Sequence, residues 1–416
     1  ASSITALPFD LDGVPYSFSA AELERIQYIW QRVAEDYAAF DVDVTTEPPP
    51  ADALTRSGSG DDTFGTTVLI TQRTFYSCSC GGVAYIGVFD DTSNYYKPAL
   101  VFYDRLGGGN EKYVAEAISH EAGHNMGLHH DGSSTTSYYQ GHGSGVTGWA
   151  PIMGTGYYQS LVQWSKGEYP GANNKEDDYA VMGTNGLPLR ADDHGGSTNT
   201  ATRLGGITAG GTTTLSGAGI IERAGDVDMF SFVASAGTIN IAVNPAARAG
   251  NVDIQADLLN GNGQVIATSN PVDGLSATLS ANVASAGTYF VSVRGSGKGD
   301  LTTGYSAYGS VGEYSVSGTV PASTSQAPVI VMSATPTSGT APLVVNFSAN
   351  GTYDPDGSIT SIEWNFGDGS ALASGTTAAH TYSAGTYTAT VKVTDNAGVT
   401  STKSVTIAVQ ASTTSQ

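Results

Sequence analysis

Residues 120 to 131, HEAGHNMGLHHD, hold four of the chain's seven histidines together with one glutamate and one aspartate. On a helix, His120 and His124 lie on one face about one turn apart, so both imidazoles reach the same ion. Gly127 is able to adopt the positive φ that ends a helix, and three further residues then bring His130 back toward that ion. The spacing predicts a zinc site with His120, His124 and His130 as ligands.

The remaining residues of the stretch have different expected roles. Glu121 stands beside the first ligand, off the metal-binding face, where it reaches a water molecule without binding the metal. His129 misses the ligand spacing by one residue, and we expect it at the surface or beside the ligands. The competing interpretation, a helix with solvated histidines, requires the whole pattern to be coincidental.

A methionine downstream strengthens the pattern. With Met153 in APIMG (150–154), the sequence resembles the metzincin zinc metalloendopeptidases, in which such a turn lies beneath the zinc. Asp131 is similar to the residue that marks the reprolysin, or adamalysin, branch, and Thr155 stands where other branches carry a tyrosine. The resemblance implies metal-assisted peptide hydrolysis with Glu121 as general base, and supporting roles for Gly127, Asp131 and Met153. The low cysteine content indicates a bacterial relative.

The elements around the motif form a mixed α/β unit over residues 1–190. SAAELERIQYIWQRVAEDYAAF (19–40) predicts a helix with a Ser19–Glu22 capping box and an apolar stripe, made of Leu23, Ile26, Ile29, Trp30 and Val33. A second helix starts at about Glu111. Strands are predicted at 66–71, 83–89 and 99–103. The resemblance implies that 83–89 is the edge strand that pairs with an extended substrate.

Two β-rich units follow. Residues 191–320 resemble a bacterial pre-peptidase C-terminal domain and residues 329–410 a polycystic-kidney-disease (PKD) domain, joined by a linker at 321–328. Residues 411–416 are a tail or the start of a further linker. The fold class is therefore multidomain, an α/β (α+β) metzincin catalytic domain with two C-terminal all-β sandwiches. We expect Trp364 and Phe366 in the core of the last one.

A second metal, Ca²⁺, is an interpretation of the acidic residues in the first β-rich unit. Oxygen clusters suit this hard cation, and the carboxylates in question are Asp192, Asp193, Asp226 and Asp228. The alternative is a set of acidic turns.

The composition limits the partners and the compartment. The formal charge of −21 argues against nucleic acid and anionic membranes, and no run of about 20 apolar residues predicts membrane insertion. Few lysines, few cysteines and many Ser, Thr and Gly residues favour a secreted, extracellular bacterial protein. Cys78 and Cys80 form either a disulfide or free thiols, and no Cys/His cluster nearby supports a zinc site there.

The sequence thus predicts a secreted zinc endopeptidase acting on protein or peptide substrates, including insoluble matrix or glycoprotein. One alternative is a glycan-targeted, mucinase-like protease anchored by its β-domains. Another is an inactive adhesion protein, against which the intact Glu121 and ligand set speak. Subsite preference and the ligands of the β-domains do not follow from the sequence.

Overall fold

A computed structural model of the chain describes residues 5–50, 52–323, 327–354 and 358–412. Parts of the predicted linker (324–326), of the YDPDGSI motif (355–357) and of the tail (413–416) lie outside the described residues. Over those ranges, α-helices occur only in the N-terminal part, and they are α1 (Ala20–Asp36), α2 (Glu111–Asn125) and α3 (Asp178–Thr184). The expected fold class, a mixed catalytic unit followed by all-β domains, is confirmed. No helix in the described ranges is both long and apolar enough to cross a bilayer.

Helix α1 begins with the expected capping box. The Ser19 hydroxyl accepts a hydrogen bond from the Glu22 amide, and the Glu22 carboxylate accepts one from the Ser19 amide. Ile29 and Val33 are buried as predicted, but Leu23 and Trp30 are 53% and 38% exposed. At about 100° per residue these two side chains lie roughly 80–100° from the buried line, which places them on the helix flank. The predicted stripe was therefore too wide.

The first sheet is small and lies beside α2. Its strand order is β1–β3–β2, and the strands are β1 (Val68–Thr71), β2 (Gly82–Val83) and β3 (Ala99–Phe102). β1 runs parallel to β3, whereas β2 is antiparallel to it and occupies the edge. The strand predicted over 83–89 is wrong beyond Val83. The amides of Gly87, Val88 and Phe89 instead donate to the backbone carbonyls of His124 and Asn125 at the end of α2.

Helix α2 packs between α1 and this sheet. The Asn110 side chain accepts from the Tyr113 amide and caps the helix N-terminus. Val114, Ala115 and Ile118 enter one apolar cluster with Ile29 of α1 and Val101 of β3. A parallel pair, β4 (Trp149–Pro151) and β5 (Leu161–Gln163), passes behind the C-terminal half of the motif. The catalytic motif thus sits on a helix that is buried along most of its length.

The first β-sandwich has two five-stranded sheets facing one core. One sheet has the order β13–β10–β15–β8–β7 and the other β12–β11–β14–β9–β6. The strands are β6 (Thr202–Arg203), β7 (Gly205–Ala209), β8 (Thr212–Ile221), β9 (Asp228–Ala234), β10 (Gly237–Pro245), β11 (Ile254–Leu259), β12 (Val265–Ser269), β13 (Ala277–Val283), β14 (Gly287–Gly295) and β15 (Gly312–Pro321). Alternating inward residues such as Ile239, Ile241 and Val243 of β10 fill the core.

The second β-sandwich pairs a three-stranded sheet, β16–β18–β21, with a five-stranded one, β17–β23–β22–β19–β20. The strands are β16 (Ser333–Thr335), β17 (Ser338–Thr340), β18 (Leu343–Ser348), β19 (Ile359–Asn365), β20 (Ala373–Ser374), β21 (Thr377–Tyr382), β22 (Gly385–Asp395) and β23 (Thr400–Gln410). Trp364 and Phe366 are both buried beside Phe347, as predicted.

A buried polar layer joins the catalytic unit to the first sandwich. Glu35 accepts hydrogen bonds from the backbone amides of Asn251, at 2.9 Å, and Glu313, at 3.3 Å. The Asn251 side-chain amide donates to Asp36 at 2.9 Å, and the Ser119 hydroxyl of α2 donates to the other Asp36 oxygen. Because these carboxyls are almost fully enclosed, burial raises the pKa of Asp36 and raises that of Glu35 to about 8. Folding therefore couples the two domains through ionisable groups.

We predict that this layer makes stability fall as the pH rises. The pKa of Glu35 goes from its ordinary 4.5 to about 8 in the folded chain, so folding favours its protonated form. The contribution of Glu35 to the free energy of unfolding is complete below about pH 4.5 and is lost toward pH 8, with a slope of up to about 1.4 kcal/mol per pH unit. Glu35→Gln removes the proton that this group releases. In this variant the unfolding midpoint should therefore decline less steeply between pH 5 and pH 8 than in the wild type. The exposed Glu24→Gln is the matched control, and equal slopes in wild type and Glu35→Gln would contradict this account.

Candidate metal centre

The C-terminal end of α2 is closed by a Schellman turn. Gly127 has φ +99°, its amide donates to the His124 carbonyl, and the Leu128 amide donates to the Gly123 carbonyl. A side chain at Gly127 is excluded twice, because of that φ and because a Cβ there would stand 2.6 Å from Asn185 Nδ2. The turn reverses the chain and sends residues 128–131 back along the helix.

This reversal brings three histidines together. One nitrogen of each of His120, His124 and His130 lies within 4.8 Å of the others. The ring centroid of His120 lies 4.9 Å from that of His124 and 5.2 Å from that of His130. The predicted ligand residues thus converge on one point, with two contributed by α2 and one by the chain after the turn.

The hydrogen bonds of these rings fix which nitrogens face that point. His120 Nδ1 lies 2.9 Å from the Ile152 carbonyl, and His124 Nδ1 lies 2.7 Å from the Leu128 carbonyl. A carbonyl only accepts, so we assign the proton to Nδ1 in both rings, which leaves Nε2 as a lone-pair donor. His124 Nε2 lies 2.9 Å from His130 Nε2, a separation that two lone pairs tolerate only with a cation or proton between them. The donor set fits Zn²⁺, which takes imidazole nitrogens with their second nitrogen held by a carbonyl.

The rings are also kept neutral. Burial and the neighbouring His124 lower the pKa of His120 to about 3 and that of His130 to about 4. Burial lowers the pKa of His124 too. Neutral imidazole is the form that coordinates metals. At neutral pH these rings therefore do not have to lose a proton before they bind a metal ion.

Glu121 projects from α2 toward the edge strand. A Cβ added at Gly82 of β2 would stand 2.6 Å from Glu121 Oε1, so only glycine permits this approach. Within the described ranges no hydrogen-bond donor contacts the carboxylate, and burial raises the pKa of Glu121 to about 8. A bound cation would oppose that rise by favouring the charged form.

Met153 and Asp131 stand beneath the histidines. Met153 is fully buried, and the helix residue Gly123 approaches its sulfur so closely that a Cβ there would stand 2.7 Å away. The Asp131 amide donates to the Met153 carbonyl at 2.8 Å, which ties the turn at 150–154 to the residue after His130. The Asp131 side chain is also buried, and burial together with Glu176 raises its pKa.

His129 does not join the cluster. Its side chain is 65% exposed, its amide donates to Glu176 Oε1 at 2.6 Å, and its Nδ1 lies 3.2 Å from Glu176 Oε2. This placement matches the expected surface position. Glu176 was not predicted, because a single glutamate 47 residues away along the chain carries no local signal.

Two further residues were missed by sequence reasoning. Asn125 donates to the Tyr85 carbonyl and accepts from the Thr66 hydroxyl, so it fastens the segment after β2 to the end of α2. Tyr138 packs on His130 with ring centroids 4.4 Å apart. Asn125 lies inside the motif, where its polarity on a buried helix was the available signal. Tyr138 lies in a loop without one.

Cys78 and Cys80 form a disulfide in the segment that leads into β2. Of the two readings left open by the sequence, the structure therefore takes the disulfide. Gly81 and Gly82 follow directly, so the linked pair sits at the entrance of the strand that touches Glu121.

The acidic residues of the first sandwich also come together. Carboxylate oxygens of Asp192, Asp226 and Asp228 lie within 4.8 Å of one another, as do those of Asp192, Asp193 and Glu222. Glu222 was not predicted. Asp228 and Glu222 are fully buried, and Asp228 Oδ1 and Glu222 Oε2 contact no hydrogen-bond donor in the described part of the chain. A hard cation would satisfy both of these buried oxygens.

Comparison with known proteins finds family models that match three separate segments of the chain. Residues 29–131 match the family model described as "Metallo-peptidase family M12B Reprolysin-like". Residues 226–295 match the bacterial pre-peptidase C-terminal domain and residues 325–409 the PKD domain. A metallopeptidase family implies peptide-bond hydrolysis, and the M12 family implies zinc.

Individual relatives cover only parts of the chain. A microbial collagenase of Vibrio alginolyticus is 40% identical over 68 residues, 16% of this chain and 8% of that protein. The PKD1 domain of Vibrio anguillarum Epp is 31% identical, with 21% of this chain and 99% of that one covered at a TM-score of 0.19. The pre-peptidase C-terminal domain of a Bacillus anthracis collagenase is 20% identical, with 31% and 97% covered at a TM-score of 0.20.

Because both TM-scores are far below 0.5, the assignment rests on the three family models. The chain carries a reprolysin-like metallopeptidase segment of the M12B family, followed by a pre-peptidase C-terminal domain and a PKD domain.

Proposed function

We propose that this chain is a secreted zinc endopeptidase that hydrolyses peptide bonds of extracellular proteins, with Glu121 as general base. The observation that carries the proposal is the convergence of His120, His124 and His130, one nitrogen of each lying within 4.8 Å of the others, on a helix where Glu121 follows the first ligand. Three neutral ligands leave a fourth position for water, the arrangement of catalytic rather than structural zinc sites.

The three histidines and Glu121 have separate roles in the proposed reaction. His120, His124 and His130 would hold the ion, and their partners, the Ile152 and Leu128 carbonyls, orient two of the rings. Bound Zn²⁺ supplies a Lewis acid that lowers the pKa of water and polarises the scissile carbonyl. Glu121, held against Gly82, accepts the proton of the attacking water and delivers it to the leaving amine.

The edge of the small sheet offers a place for the substrate. β2 borders the sheet, pairs in it only with β3 among the described strands, and passes directly over Glu121 at Gly82. An extended peptide that adds a strand here gains backbone hydrogen bonds and is laid across the carboxylate. Since the regular strand ends at Val83, we propose pairing over a short segment only.

An extracellular setting is supported by three features. The disulfide between Cys78 and Cys80 suits an oxidising compartment. The pre-peptidase C-terminal and PKD matches are consistent with the architecture of a secreted bacterial protease. The charge of −21 suits a soluble protein outside the cell. We propose that the two sandwiches help engage large or insoluble protein substrates.

We further propose that the acidic cluster of the first sandwich binds Ca²⁺ through Asp192, Asp193, Glu222, Asp226 and Asp228. Burial raises the pKa of Asp228 and of Glu222 to about 8 each, and a bound cation would favour their charged forms instead. The cluster joins the segment before β6 to the connection between β8 and β9 and to the start of β9, so this ion would stabilise the domain.

The general-base role is tested with Glu121→Gln. We expect kcat on casein and on a quenched peptide library to fall roughly 10²- to 10⁴-fold, because proton transfer by a positioned side chain contributes that much. Zinc content by mass spectrometry should not change, and 1,10-phenanthroline should abolish wild-type activity. Glu111→Gln, at the far end of the same helix, is the control. Full activity in Glu121→Gln would remove this residue from the mechanism.

The ligand assignment is tested by comparing two adjacent histidines. His130→Ala should lose most of its zinc during dialysis against a competing chelator, because one of three ligands is gone. His129→Ala should retain zinc at the wild-type level, since its ring contacts Glu176 and not the cluster. Equal zinc loss in both variants would show that the choice between them is wrong.

The calcium proposal is tested by thermal unfolding of metal-stripped protein. Added Ca²⁺ should raise the midpoint of the wild type by several degrees, since a ligand that binds only the folded state stabilises it. Asp192→Asn, which alters an exposed member of both groups, should largely abolish the rise. Asp41→Asn, another exposed aspartate, serves as the control. A midpoint insensitive to Ca²⁺ in the wild type would leave the cluster as acidic turns.

A further inference from the structure

Tyr138 lies against the metal centre on a face that no other side chain discussed so far occupies. Its ring centroid is 4.4 Å from that of His130, at an interplanar angle of 45°, and 6.1 Å from that of His120. The side chain is 42% exposed, so it borders the cleft and is not part of the core. Tyr138 is thus a solvent-accessible side chain in contact with one of the proposed ligands.

The backbone holds Tyr138 in place from the next residue. The Tyr139 amide donates to the Asp131 carbonyl at 2.7 Å, and the Tyr139 carbonyl accepts from the Thr155 amide at 2.8 Å. The Tyr139 ring stacks on Tyr169, with centroids 4.4 Å apart. The loop is therefore fastened both to the residue after His130 and to the turn that contains Met153, which leaves Tyr138 little freedom to move away.

The hydroxyl of Tyr138 is free to act as a donor. It makes no hydrogen bond to any group in the described ranges of the chain, and the Glu121 carboxylate lies close enough to act on it electrostatically. A phenol is protonated at neutral pH, so this hydroxyl has a hydrogen to donate.

Peptide hydrolysis is accelerated by such a donor in addition to the metal. When water attacks a peptide carbonyl, negative charge develops on the carbonyl oxygen, and a positioned O–H or N–H group stabilises that charge. Other metzincin branches carry a tyrosine two positions after the methionine, but the residue at that position here is Thr155. The loop between His130 and β4 supplies one from a different direction.

We propose that Tyr138 is a catalytic residue whose hydroxyl donates a hydrogen bond to the scissile carbonyl oxygen as it gains charge. The assignment rests on the proposed peptidase function. Tyr157 is the nearest competitor for the role, because Glu121 also acts on it electrostatically. Its hydroxyl, however, points to the strand, 3.3 Å from where a Cβ at Gly81 would be, and its ring packs on Tyr113.

The experiment compares Tyr138→Phe, Tyr138→Ala, Tyr157→Phe and Tyr158→Phe in the full zinc-loaded chain. Tyr158 is 76% exposed and is the matched control. Four quantities are measured, namely kcat, KM, zinc content and the dissociation constant, by titration calorimetry, of a phosphinic peptide, whose tetrahedral phosphorus mimics the transition state. The last two report on the site without relying on turnover.

The expected result is specific to the hydroxyl. Tyr138→Phe should lower kcat roughly 10²-fold with KM within about two-fold, the size of effect seen when one oxyanion donor is removed. Phosphinic peptide binding should weaken by a similar factor, while zinc content stays at the wild-type level. Tyr157→Phe and Tyr158→Phe should resemble the wild type in all four measurements.

Other outcomes overturn the proposal. If Tyr138→Phe keeps wild-type kcat while Tyr138→Ala loses zinc, the ring only packs on His130 and the hydroxyl has no role. If Tyr157→Phe carries the loss in kcat, the donor is the other tyrosine. An inactive wild-type protein overturns the peptidase function as well, whereas an active Tyr138→Phe overturns only this assignment.

Discussion

The metal centre depends on two hydrogen bonds that join imidazole rings to backbone carbonyls, His120 to Ile152 and His124 to Leu128. Each bond fixes a ring's tautomer and rotation, so the lone pairs face one another before any ion arrives. Each also requires a segment outside α2 to stand in a fixed place. Ile152 belongs to the turn with Met153, and Leu128 belongs to the reversal at Gly127. The packing around the end of α2 therefore holds these two carbonyls in position.

This dependence explains the burial of apparently secondary residues. Met153 fills the space beneath Gly123, and the bond from the Asp131 amide to its carbonyl keeps the turn from sliding along the helix. Asn125 fixes the segment after β2 to the same helix end, because its side chain donates a hydrogen bond to the Tyr85 carbonyl. Three chain segments are thereby clamped to a single helical turn. Preorganisation of this kind costs no rearrangement at the moment of reaction.

The sequence predicted what is encoded locally. Ligand spacing, the capping box at Ser19 and the turn at Gly127 depend on residues within a few positions of one another. It failed where tertiary contacts decide. The apolar run after Val83 resembles a strand, yet its amides go to the carbonyls of His124 and Asn125 because α2 offers them. Leu23 and Trp30 lie on the flank of α1, while Glu35 and Asp36 are buried because the first sandwich covers them.

Long-range partners escaped for the same reason. Glu222 joins Asp192 and Asp193 only because the chain after β8 returns to the segment before β6, and Tyr138 meets His130 only because Tyr139 is tied to Asp131 and Thr155. Neither contact leaves a periodicity or a spacing in the sequence. Chemistry-bearing residues held by loops are therefore found from coordinates, whereas those on one helical turn are found from the pattern.

The path of strand β15 has a mechanical consequence. The strand lies inside its sheet, paired along its length with β8 and β10, and it ends at Pro321, where the chain leaves for the PKD domain. Tension applied through that domain would pull β15 along its own axis, against antiparallel hydrogen bonds that lie across the pull and share the load. At the other end, the Glu313 amide meets Glu35 of the catalytic unit. Force applied through that domain would thus be borne first by the hydrogen bonds of β15, and the contact between Glu313 and Glu35 would pass part of it to α1.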